Sequence, residues 1–399
     1  MRPLRAVSLA AATTALLASG SAFADARVGA TVGVRGGYST NPYSATVNDT
    51  GAATVTGSFS PRIVLASPTG STQIDGDITH SEFSQRYSGA TNYSVGISST
   101  QQFTPTVSLQ GGAGYSSQFR NALFANLNPN IPPVGPDDPI IVDPTAGATL
   151  GRRIESLNGN LGLTYMLSPR DTLSLYAQGS QVDFGELTSG VNSYDTIAGG
   201  FSYMRTLNAR TSLGLGVNLS RSNYHNETIG DGRQLSPSVI FDTRLSPRLA
   251  LHLSVGATFS DTDIDLTGGS VKRTSFSGSA SLCNQGDRSN LCVEASRSVA
   301  PTALSGISTV TSLGANYRYT LSARDSFTLR AGYSSSQRIY GIFTDKYDYG
   351  TAAASYSRKF NERLSGTVSI SYSDAYSSII SREPNFWGTV GVSYRLGDI

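Results

Sequence analysis

Charge is scarce in this chain of 399 residues. Asp, Glu, Lys and Arg make up 15% of it, against the ~25% usual for soluble domains. Lysine occurs three times (Lys272, Lys346, Lys359), so 27 of the 30 basic residues are arginine. There are two cysteines, three histidines, three methionines and one tryptophan. Each shortage excludes something. Two thiols and the scattered His80, His225 and His252 do not make a metal centre. Past the first two dozen residues no run of about 18 apolar residues occurs, so no transmembrane helix is expected. Glycine clusters sit inside strand-like segments rather than ahead of a helix, which removes a nucleotide-binding loop. No basic patch interleaved with aromatics points to nucleic acid, and no cofactor motif is present.

Glycine (42), tyrosine (20), serine and threonine take the place of charge. A soluble protein with so little charge needs a large dry core, yet long Leu/Ile/Val runs are missing. Strands that are apolar on one face and small and polar on the other resolve this, with lipid on one side and water on the other.

The first residues read as a targeting segment. Arg2 and Arg5 precede an apolar stretch from Ala6 to Ala18, and Ala22-Phe23-Ala24 fits a small-x-small cleavage site. The expected cut precedes Asp25, giving a signal peptide over 1–24 and an exported chain over 25–399.

A phrase then recurs: Leu167-Ser-Pro-Arg-Asp, Leu207-Asn-Ala-Arg-Thr, Leu245-Ser-Pro-Arg-Leu, Leu321-Ser-Ala-Arg-Asp and Phe360-Asn-Glu-Arg-Leu. The starts lie 40, 38, 76 and 39 residues apart, and the midpoint of the long gap, Cys283, is expected to open another turn. A turn every 38–40 residues between alternating segments is a hairpin repeated many times. Leu249, Leu251, Leu253, Val255, Ala257 and Phe259 alternate with Ala250, His252, Ser254, Gly256 and Thr258. The same parity follows Asp325 and Arg363. Segments of this kind have the length of tilted membrane strands. Tyr165, Tyr203, Tyr317, Tyr319, Phe386 and Tyr394 close the apolar rows, as interfacial girdles do.

The expected fold is all-β: a transmembrane antiparallel barrel of about 18 strands, with 16 as the alternative count. Both termini and the short turns are expected on the periplasmic side of a Gram-negative outer membrane. The chain end carries Thr389, Gly391, Tyr394 and Leu396 in the pattern of the last strand of such barrels, which the barrel-assembly machinery reads by edge pairing. Residues 117–151, rich in proline, read as a long external loop, either folded into the lumen or standing at the surface.

Parity also assigns side chains. Cys283 and Cys292 point into the lumen at the base of one hairpin, close enough for a disulfide. Arg35, Arg62, Arg244, Arg318, Arg330 and Arg395 point inward, against Asp75, Asp77, Asp242 and Glu294. A positive excess there favours anions; arginine–acid pairing that stiffens the wall is the competing reading. His252-x-Ser254 has the spacing of a lipase pair but faces inward without an Asn orienter, so no catalytic residue is assigned. Asp261, Asp263 and Asp265 alternate in what reads as an external loop and lack the spacing of a calcium site.

The phrase Leu-Ser-Pro-Arg-x-x-Leu-x-Leu at Leu167–Leu175 and Leu245–Leu253 resembles the β-barrel porin 2 family of outer-membrane proteins, over most of the exported chain. The resemblance implies passage of a polysaccharide across the outer membrane, with polysaccharide and periplasmic export components as partners beside lipid and lipopolysaccharide. An arginine-bearing barrel of this size also looks like the alginate export porin. The leading expectation is a pore for export of an anionic exopolysaccharide. The alternatives are a general diffusion porin for small solutes and a non-conducting structural or adhesive barrel.

Overall fold

The structure is a computed structural model. It describes residues 25–43, 50–119, 152–185, 192–225, 231–264, 269–302, 306–338, 346–377 and 382–397. The proposed leader and most of the 117–151 loop lie outside these residues.

Eighteen strands follow in order: β1 (Asp25–Ser39), β2 (Ala52–Ser67), β3 (Gly70–Phe83), β4 (Ala90–Thr104), β5 (Val107–Phe119) and β6 (Arg153–Ser168). Next come β7 (Asp171–Asp183), β8 (Tyr194–Asn208), β9 (Thr211–Tyr224), β10 (Gly232–Arg244), β11 (Leu249–Ile264) and β12 (Gly269–Gln285). The last are β13 (Ser289–Thr302), β14 (Gly306–Thr320), β15 (Asp325–Arg338), β16 (Lys346–Lys359), β17 (Leu364–Ser377) and β18 (Asn385–Gly397). Each pairs antiparallel with its sequence neighbours, and β1 closes the sheet against β18 from Gly29↔Gly397 to Ser39↔Trp387. Closure gives every strand a neighbour on each side, so that none stands at an edge of the sheet.

The two ends of the barrel differ. One end carries the short turns, the start of β1 and the end of β18; the other carries the longer connections. Alternation decides the faces. Val28, Val34, Val95, Ile197, Leu215, Ile370 and Val390 stand 54–64% exposed on the outer wall. Such an apolar exterior is stable in hydrocarbon and not in water. Outward charges at the loop end pair with one another, as in Arg221–Asp231 (2.6 Å) and His225–Asp195 (3.0 Å).

The repeated phrase builds the turns. Its Ser or Asn accepts the backbone N–H of the Arg two residues on: Ser168 from Arg170 (3.1 Å), Asn208 from Arg210 (2.9 Å), Ser246 from Arg248 (3.2 Å), Ser322 from Arg324 (3.0 Å) and Asn361 from Arg363 (2.8 Å). Short polar side chains favour turns in this way. The Arg carbonyls then accept from the next hairpin. Thr206, Arg244, Gln285, Thr320, Lys359 and Arg395 donate to Arg170, Arg210, Arg248, Arg288, Arg324 and Arg363 at 2.7–2.8 Å.

Arg288 is therefore the missing repeat. Cys283 does not open that turn, because β12 runs on to Gln285. Two other boundaries differ from expectation. Ser117–Phe119 extend β5 rather than begin a loop, and Asp261 and Asp263 lie in β11 rather than in a loop. In both cases the ladder to the next strand continues through these residues, to Ile264↔Gly269 and Phe119↔Arg153.

Candidate functional site

The lumen wall is the candidate site. Register groups its charges into patches. Arg62 holds Asp75 at 2.7 Å, Gln73 donates to the same carboxylate, and Ser60 donates to Asp77 at 2.7 Å. Across β10 and β11, Asp242 accepts from His252 Nδ1. That bond occupies the imidazole nitrogen an Asn orienter would use. Arg244 stands two rungs nearer the turns, opposite Ala250.

On β13 to β15, Cys292, Asn316 and Arg330 share one row, and Asn290, Arg318 and Thr328 share the adjacent one. Cys283 and Cys292 face each other directly and are bridged, with an S–S distance of 2.12 Å. Arg35 lies over Gly391, where an added Cβ would stand 3.3 Å from its Cβ and Cγ. Arg395 faces Thr31 in the same wall. Thr389 bonds Ser369 at 2.6 Å on the inner face, while Tyr394 and Leu396 stand 40% and 44% exposed on the outer one.

The sequence reading missed the opposite arc. On β5 to β9, among the described residues, every inward position is uncharged. Gln110, Asn158, Asn160, Gln178 and Asn218 supply amides, and Tyr176 supplies a ring. Glycines make beds for them. A Cβ at Gly112 or Gly114 would meet the amide oxygen of Asn160 (3.2 Å) or Asn158 (2.9 Å), and one at Gly200 would meet the Tyr176 ring (2.7 Å). The signal was present as Asn and Gln at inward parity, but neutral residues draw no attention in a charge-based reading. A tract of donors and acceptors thus faces the β14–β15 arginines across the barrel.

Apolar and aromatic side chains gather at the loop end. Ile154, Val182, Phe184, Tyr194 and Tyr224 form a buried cluster on the inner face of β6 to β9. Beside it, Tyr43 packs against Tyr87, Phe83 and Phe119 with ring centroids 4.7–5.7 Å apart. Burial, reinforced by the neighbouring Tyr87, pushes the Tyr43 phenol up to about 12. Tyr87 in turn donates to the Thr50 carbonyl at 2.8 Å. Asn385 fastens the first connection from the other side, accepting from Ser39 (2.6 Å) and from the Asn41 backbone (2.9 Å).

This architecture is the closed 18-strand barrel of outer-membrane porins. Among solved structures, OccK9 (OpdG) of Pseudomonas aeruginosa has 12% identity and a TM-score of 0.50, covering 94% of this chain and 99% of that one. The outer-membrane protein OpdK of the same organism has 13% identity and a TM-score of 0.49, covering 94% and 99%. OccAB2 of Acinetobacter baumannii has 11% identity and a TM-score of 0.48, covering 96% and 100%. At such identities the likeness concerns the fold. No family model and no curated protein matches the chain. The resemblance to the β-barrel porin 2 family therefore rests on the hairpin phrases alone.

Proposed function

We propose that this protein is a Gram-negative outer-membrane pore through which small polar solutes diffuse, with a preference for those carrying a carboxylate. Barrels of about 16–18 strands leave a water channel when the lumen is not filled. The carrying observation is the lumen wall: an uncharged arc of amides and Tyr176 opposite Arg318 and Arg330. Amides exchange hydrogen bonds with hydroxyls, and guanidinium groups bind carboxylates through a planar fork. On this reading residues 1–24 are the export signal, the short turns and both chain ends face the periplasm, and the last strand directs assembly.

Liposome swelling tests the reading. Proteoliposomes should admit arabinose and admit gluconate faster than an amino sugar of similar size. Absence of swelling with every solute would favour a non-conducting barrel. Export of an anionic polysaccharide is the second reading, carried by the six inward arginines. It predicts that an acidic oligosaccharide blocks single-channel current, whereas a diffusion pore for small solutes shows no such block.

A further inference from the structure

The wall of the barrel parts between β12 and β13. Their ladder has eight rungs, from Gln285↔Asn290 to Gly278↔Arg297, and stops there. Both strands continue. β12 remains paired with β11 as far as Gly269, and β13 remains paired with β14 as far as Thr302. Continued in the same register, the ladder would add five rungs, Ser277–Ser298 through Arg273–Thr302, and these are not formed.

Three observations say where β13 and β14 go instead. Beyond its partner β12, β13 comes close to β11. Ile307, Ser308 and Thr309 are 0%, 0% and 5% exposed, so both faces of β14 are covered there, whereas Leu313 in the wall is 52% exposed. The Ile307 side chain also lies against the inner face of Gly232 on β10, where a Cβ would collide with it. The loop end of the β13–β14 hairpin thus leans into the lumen mouth and leaves a slit in the wall.

We propose that this slit is a lateral passage between the lumen mouth and the outer leaflet, and that it passes amphipathic anions. The proposal rests on the pore reading above and extends its solute class. The rim is cationic and apolar. Lys272 and Arg273 are exposed on β12, Arg297 is exposed at the foot of the slit, and Phe276 is 59% exposed beside it. Asp261, opposite Lys272, is the nearest acid across β11. An anionic head finds guanidinium and ammonium groups there, while a tail moves past Phe276 into hydrocarbon. The Cys283–Cys292 bridge joins the same two strands within their eight rungs. A covalent tie at that place stops the separation from running down the barrel.

The experiment obstructs the slit. Thr274→Cys and Pro301→Cys, introduced together with the native disulfide intact, place thiols on its two lips. A bismaleimide joins them, and a monomaleimide is the control. In intact bacteria, entry of anilinonaphthalene sulfonate into the outer membrane is read by fluorescence. In proteoliposomes of the same protein, arabinose swelling is read alongside. Bridging should slow sulfonate entry several-fold and leave arabinose flux unchanged. Unchanged sulfonate entry, or an equal fall in both, overturns the lateral passage. Absence of arabinose flux in the unbridged protein would instead sink the pore reading. Amide exchange gives a second measure: β12 residues 271–277 should exchange faster than 279–285, and equal protection would refute the slit itself.

Discussion

Tyr203 donates its phenolic proton to Asp171 at 2.6 Å, binding one hairpin to the turn of the hairpin before it. Tyr356 does the same to Asp325, also at 2.6 Å. Each aspartate also accepts from the serine that begins its turn, and an arginine two residues past the tyrosine stands nearby, 3.9 Å away at Arg205 and 3.7 Å at Arg358. Ser-x-Arg-Asp in one turn and Tyr-x-Arg in the next strand therefore form one clip. It lies on the outer rim, where an interfacial tyrosine keeps its ring toward hydrocarbon and its hydroxyl toward the polar side.

Tyr203→Phe should lower the urea midpoint of the refolded barrel modestly, and Asp171→Ala should lower it by a similar step. Because both changes remove one contact, the double variant should fall short of their sum. Full additivity would show that the two side chains act separately.

Tyr43 supplies a pH dependence. Its folded pKa of about 12 exceeds the ordinary tyrosine value of about 10, chiefly through burial. The folded state therefore holds a proton that the unfolded chain releases. The stabilisation is complete below about pH 10 and is lost as pH climbs toward 12. The difference in tyrosinate absorbance between wild type and Tyr43→Phe should rise near pH 12. A difference centred near 10 would mean that Tyr43 is open to solvent.

The inward arginines should govern selectivity. Replacing Arg318 and Arg330 by Ala should reduce anion preference in bilayer reversal potentials by a few-fold while the pore stays open. Unaltered reversal potentials would locate the selective field elsewhere in the wall.

Loss of the bridge should weaken the barrel without preventing closure. Cys283→Ser with Cys292→Ser frees a loop whose ends are nine residues apart. The expected cost is roughly 2–3 kcal/mol of loop-closure entropy. Heat-modified gel migration should therefore begin at a lower temperature. No change in that temperature would show that the remaining rungs suffice.

Gly232 has no room for a side chain beneath Ile307. Gly232→Val should displace Ile307 and the start of β14, with an overpacking cost of roughly 1–3 kcal/mol. Single-channel recordings should show larger or noisier conductance. A quiet, unchanged trace would mean that the start of β14 does not narrow the mouth.

Much of the fold could be read before any coordinates. The expected count of about 18 strands, rather than the alternative of 16, matches the eighteen observed. Two-residue periodicity marks a strand with unlike solvents on its faces, and that condition holds at every position along a barrel wall. The inward direction of Arg330 and of both cysteines follows from the same parity, as does the outward direction of Leu282 and Val293.

Other features depend on which strand lies beside which, and at what offset. Nothing in the sequence around Asp171 names Tyr203, 32 positions away. The register of β7 on β8 brings them together. The uncharged arc exists because five consecutive strands happen to agree, and it matters only because closure sets β14 and β15 across from it. The parting of β12 from β13 is further from the sequence still, since both segments alternate as wall strands do. Sequence alone determined the barrel, its strands and the face each side chain takes, because these are set by solvent contact one residue at a time. Tertiary structure decided the clips, the neutral arc and the slit, because those arise from competition between neighbouring backbones for the same hydrogen bonds and the same space.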